Sequence, residues 1–109
     1  MEENITNLLH QKITSSDVVL FMKGTPDLPQ CGFSSQVVQI LNYLGIEFST
    51  VNVLDDDKIR SGIKEYTNWP TIPQLYVKSE FIGGADIIKE MFEENELKQF
   101  FIDQGIKTN

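Results

Sequence analysis

The sequence holds one cysteine, one histidine and one tryptophan. A single cysteine excludes an internal disulfide and fits a reducing compartment. Cys31 and His10 cannot furnish the four ligands of a soft-metal site, so any such site must draw ligands from outside the chain. Basic residues are also scarce: 9 Lys plus Arg stand against 16 Asp plus Glu, for a formal net charge of −7. Nucleic acid and anionic membranes are therefore disfavoured as partners, because most of the surface would repel them. No uninterrupted apolar run is long enough to span a membrane. Met1-Glu2-Glu3-Asn4 lacks the basic start of a secretory leader, so the expected location is the cytoplasm or an organelle matrix. What is present is 109 residues, 40% apolar and 23% charged, the size and balance of one globular domain over 1–109.

Neither repeats nor low-complexity linkers interrupt the chain. Ile5, Leu8, Leu9 and Ile13 recur at helical spacing and predict a first amphipathic helix. Val18-Val19-Leu20-Phe21-Met22 predicts a short strand buried on both faces. A loop with two prolines follows over 24–30, then Val37, Ile40, Leu41 and Leu44 mark a helix stopped by Gly45. Residues 48–54 read as a second strand, with Val51 and Val53 on one face, and Asp55-Asp56-Asp57 begin a third helix carrying Ile59, Ile63 and Tyr66. Gln74 to Val77 and Phe81-Ile82 read as strands joined by a turn at Lys78-Ser79-Glu80. Asp86 reads as the cap of a last helical region over 87–103, broken near Asn95. The order α-β-α-β-α-β-β-α implies a parallel strand pair plus an antiparallel hairpin. The expected fold is α/β: a four-stranded mixed sheet flanked by helices on both faces, a thioredoxin-like arrangement.

A lone cysteine is ordinarily a buried, inert apolar side chain. Cys31 lies instead between Leu28-Pro29-Gln30 and Gly32, outside any apolar periodicity, where a loop enters a helix. Unpaired N–H groups and the helix dipole stabilise a thiolate there, and such placements take a thiol from about 8.5 into roughly 3.5–7.5. Lys23, at the end of the preceding strand, adds a positive charge. Two further constellations are weaker. Trp69-Pro70-Thr71-Ile72-Pro73 suits either a cis-proline turn or an ordinary proline turn between helix and strand. Gly83-Gly84-Ala85-Asp86 suits either an anion-binding helix start or an unremarkable strand–helix turn.

Together, K-G-T-P from Lys23, C-G-F-S from Cys31, W-P-T-I-P-Q-L-Y-V from Trp69 and G-G-A-D from Gly83 resemble the monothiol glutaredoxins with a CGFS active site. The resemblance covers residues 5–101. It implies glutathione binding and a [2Fe-2S] cluster bridging two monomers, with Cys31 as thiolate and cluster ligand. By position, Lys23 and Arg60 meet a glutathione carboxylate. Thr71 and Ile72, before an expected cis-Pro73, offer backbone bonds, while Ala85 and Asp86 take the γ-glutamyl end beside Gly84. Phe33 and Trp69 line the site. Many relatives carry a second cysteine where this chain has Ala85, which removes any internal disulfide route for Cys31. Ser34 stands where a dithiol site has its second sulfur.

Three readings of function follow: a carrier of a glutathione-held cluster, a glutathione-dependent oxidoreductase with Cys31 as nucleophile, and an adaptor whose sulfur is incidental. The resemblance favours the carrier, with weak oxidoreductase activity at most. It implies a homodimer when the cluster is bound and a monomer without it. Iron-sulfur apoproteins are the implied recipients, and a BolA-family protein is a candidate replacement for one subunit.

Overall fold

Residues 2–109 are described by a computed structural model; Met1, part of the segment read above for a leader, lies outside them. The five apolar residues of β1 (Val18–Met22) are all buried, as a strand covered on both faces must be. Their side chains alternate between two cores. Val18, Leu20 and Met22 pack with α2 (Gly32–Tyr43), α4 (Ala85–Glu93) and α5 (Leu97–Asp103), through Leu41, Ile88 and Phe101. Val19 and Phe21 pack on the other face with α1 (Glu3–Ile13) and α3 (Asp57–Thr67), through Leu9, Ile13 and Ile63. Each fully buried Leu, Ile or Phe contributes roughly 1.5–3 kcal/mol, so the two layers hold the sheet between them.

The sheet order is β2-β1-β3-β4, with β2 at Ser49–Asn52, β3 at Gln74–Val77 and β4 at Glu80–Gly83. β1 and β2 are parallel, as their helical crossover requires, while β3 is antiparallel to both β1 and β4. This is the expected thioredoxin-like fold. Among the described residues no helix is long and apolar enough to cross a membrane.

Three boundaries differ from the sequence reading. The second strand is shorter than 48–54, because the chain turns into a single 3-10 turn at Val53–Asp55, where Asn52 accepts from the Leu54 N–H. Val53 is still fully buried in the same core as Val51. Glu80 belongs to β4, leaving a two-residue turn at Lys78 and Ser79, both at positive φ. Asp86 sits in the first turn of α4 rather than capping it; Gly84 holds the cap position. The expected break near Asn95 is present, with φ at 60°. Asp56, within the acidic triplet, caps α3 by accepting from the Lys58 N–H at 2.8 Å.

Candidate functional site

Cys31 is the cap residue of α2, half-buried, with its backbone extended and its thiol free. The loop ahead of it is closed on itself. Gln30 N–H donates to the Lys23 carbonyl at 2.9 Å, Leu28 N–H donates to the Thr25 carbonyl at 3.1 Å, and Gly24 bridges to Pro29. Gly24 makes this closure possible: its φ is +90°, and a Cβ there would stand 2.5 Å from the Leu28 carbonyl oxygen. Its N–H is held by Asn52 Oδ1 at 2.9 Å, tying the loop to the end of β2. The sulfur is thus fixed between the end of β1 and the first turn of α2.

That position lowers the Cys31 pKa below the ordinary thiol value. The main cause is the Ser34 N–H aimed at the sulfur; burial opposes it, and the Phe33 N–H, the Lys23 charge and the Ser34 hydroxyl add to the lowering. Ser34 is more than the empty place of a second sulfur. Its side chain is fully buried, and Oγ accepts from the Lys23 N–H at 3.1 Å, so one hydroxyl ties the first turn of α2 to the residue that follows β1.

A cavity of about 440 Å³ opens beside Cys31. Of the residues expected at the site, it brings together Lys23, Cys31, Phe33, Thr71, Ile72, Pro73, Gly84, Ala85 and Asp86, with Trp69 in its wall. The Ile72–Pro73 bond is cis. Among the described residues no hydrogen bond uses the Thr71 or Ile72 N–H, which leaves main-chain groups free beside the cavity. Gly84 sits close to the wall: a Cβ would lie 3.2 Å from the Pro73 carbonyl oxygen and 3.3 Å from Trp69 Nε1, so a larger residue would press on both. Ala85, Asp86 and Ile87 form the first turn of α4 and also line the cavity, with N–H groups that have no partner inside the helix.

Arg60 is not among the residues that line the cavity. Lys64, one turn further along α3, is. The ion pairs among the described residues are Lys78–Asp17 and Lys89–Glu93, so neither Lys23 nor Lys64 is neutralised by one. Two helix starts and two unpaired ammonium groups converge on one cavity in a protein of net charge −7. Such an arrangement can attract an anionic group and place it beside the Cys31 thiol, with the Asp86 carboxylate in the same lining.

A family model described as Glutaredoxin matches residues 18–82. The chain is 58% identical over 91 residues to an uncharacterized monothiol glutaredoxin of Synechocystis sp., spanning 84% of this chain and 85% of that protein. A probable monothiol glutaredoxin of Rickettsia typhi is 47% identical, over 95% of this chain and 94% of its own. The solution structure of reduced poplar apo GrxS14 superposes with a TM-score of 0.79 at 49% identity, covering 92% of each chain.

Proposed function

The chain belongs to the glutaredoxin family, in its monothiol branch, and from that premise we propose that it binds glutathione and carries a [2Fe-2S] cluster as cargo between two copies of itself. The observation that carries this reading is the solitary thiol at the mouth of a cationic cavity. Among the described residues no group of three or more His, Cys, Asp or Glu is placed to hold a metal ion. Cluster iron takes thiolates, four in all for this cluster type. One chain offers Cys31, two chains offer two, and the thiols of two bound glutathiones complete the set.

The residues present fit that demand. Cys31 is partly exposed and its pKa is lowered, chiefly by the Ser34 N–H, which eases its deprotonation to a ligating thiolate. Lys23 and Lys64 suit one carboxylate of the tripeptide, and Arg60 adds charge from one turn back. The free main-chain groups of Thr71 and Ile72 suit its backbone. The first turn of α4 and the Asp86 carboxylate suit the α-carboxylate and ammonium of the γ-glutamyl end. Because half the ligands are exchangeable small molecules, the cargo is labile and transferable to apoproteins. A BolA-family protein in place of one copy belongs to the same proposal.

Anaerobic reconstitution with iron and sulfide tests it, followed by size-exclusion chromatography, visible absorption and iron analysis. With glutathione, a coloured dimer with one cluster per two chains is expected. Without any thiol, or with Cys31→Ser, the product is a colourless monomer. A stable cluster-bearing monomer formed without thiol overturns the reading.

A second reading rests on the lowered Cys31 pKa. The Cys31 thiolate attacks the glutathione sulfur of a glutathionylated protein thiol, and the protein leaves as its thiolate. A second glutathione thiolate then attacks the Cys31–glutathione disulfide, releasing oxidised glutathione and restoring Cys31. A glutathione-coupled disulfide reduction assay measures this activity directly.

A further inference from the structure

The segment over 69–73 forms one wall of the cavity, yet it lies outside any helix or strand and contains two prolines that donate no N–H. Its support comes from behind, from the first residue of β3. Gln74 is fully buried in an otherwise apolar region, where an aliphatic side chain would be the economical choice. Its Nε2 donates to the main-chain carbonyls of Trp69 at 3.2 Å and Thr71 at 3.3 Å. Its Oε1 accepts from the Tyr76 hydroxyl at 3.0 Å. The two carbonyls can only accept, so they fix which end of the amide faces the wall. Burial pushes the Tyr76 phenol above its ordinary range, so it remains a donor and holds the other end.

We propose that Gln74 is a positioning residue for the ligand: its carboxamide, braced by Tyr76, sets where the Thr71–Ile72 main chain stands in the cavity wall and thereby sets glutathione affinity. Both amide hydrogens are spent on carbonyls that flank Pro70, and no other hydrogen bond among the described residues ties the Thr71 main chain. The consequence for affinity rests on the glutathione reading above; the clamp itself does not.

Gln74→Leu removes both donors while keeping a side chain of similar bulk. Glutathione affinity by titration calorimetry should fall on the order of tenfold or more, the scale of one to two lost hydrogen bonds. The chain's single tryptophan is the clamped residue Trp69, so acrylamide quenching of its fluorescence in the ligand-free protein should rise, with far-ultraviolet circular dichroism unchanged. Tyr76→Phe removes only the brace and should move both readouts the same way by less; it replaces Gln74→Leu if that variant does not fold. In a folded variant, either readout left at its wild-type value overturns the proposal. A wild-type protein that binds no glutathione overturns the glutathione reading instead, and the Trp69 readout alone then decides for or against the clamp.

Discussion

At the scale of single residues, the site turns on which groups face the sulfur. Ser34 carries a hydroxyl that accepts from the Lys23 N–H and contributes to lowering the Cys31 pKa. Ser34→Ala should therefore raise the Cys31 pKa, moving the midpoint of the pH–rate profile for iodoacetamide alkylation upward toward the ordinary thiol value. The wild-type midpoint should lie below that value. The sign for stability follows from linkage: the native thiol releases its proton more readily than the unfolded one, so stability due to Cys31 rises with pH through the window between the two pKa values and is lost as pH falls through the lower one. The variant also leaves the part-buried Lys23 N–H without its acceptor, which costs about 1 kcal/mol in chemical denaturation. The shared-ligand dimer needs sulfur rather than this hydroxyl, so it should survive the change nearly intact. For the ligand's carboxylates, Lys23→Ala and Lys64→Ala should each weaken glutathione binding by about 1–3 kcal/mol, and Arg60→Ala by less; equal losses at Arg60 and Lys64 in calorimetry would contradict the cavity's boundary. Cys31 was legible because a loop rich in proline before a glycine places a helix start. Arg60 is named from the resemblance alone and Lys64 is missed in the sequence, although residues four apart share a helix face and differ only by about 6 Å along the axis. Lys64 rather than Arg60 lines the cavity, at the end of α3 that leads into the wall at Trp69.

At the scale of elements, apolar patterns and turn signals located the four strands and the helical regions, while the start of the 3-10 turn at Val53–Asp55 reads as strand, and capping and turn chemistry decided the ends. The second strand ends early because the Asn52 side chain draws the Leu54 N–H into a turn, an option that alternating valines do not reveal. The turn between β3 and β4 holds two residues of ordinary chirality at φ 52° and 70°, where glycine or asparagine is the usual occupant. Lys78 has compensating contacts, its N–H donating to the Asp17 carbonyl at 2.7 Å and its Nζ pairing with the Asp17 carboxylate at 3.2 Å. Ser79 makes no compensating hydrogen bond among the described residues, so Ser79→Gly relieves the left-handed cost of about 1 kcal/mol, offset in part by a freer unfolded chain. A net gain of about 0.5 kcal/mol in urea unfolding is expected, and a loss would show that the turn is not strained there.

At the scale of the whole molecule, charge sets the terms of association. Each chain carries a formal −7, and the proposed dimer brings two such chains together around thiolates and an anionic tripeptide. Repulsion between them is screened over about 10 Å at 0.1 M salt. Raising ionic strength from about 0.02 to about 0.2 M should therefore shift loaded protein several-fold toward dimer in sedimentation velocity, opposite in sign to an interface built on complementary charges. The sheet that carries the site ends on two strands of only four residues, β2 at one side and β4 at the other, and β4 opens on the exposed Glu80. Short margins, one of them opening on a charge, give a passing chain little main chain to zip onto, so the flanks are guarded against fibrillar self-association while the thiol face stays open for the proposed pairing.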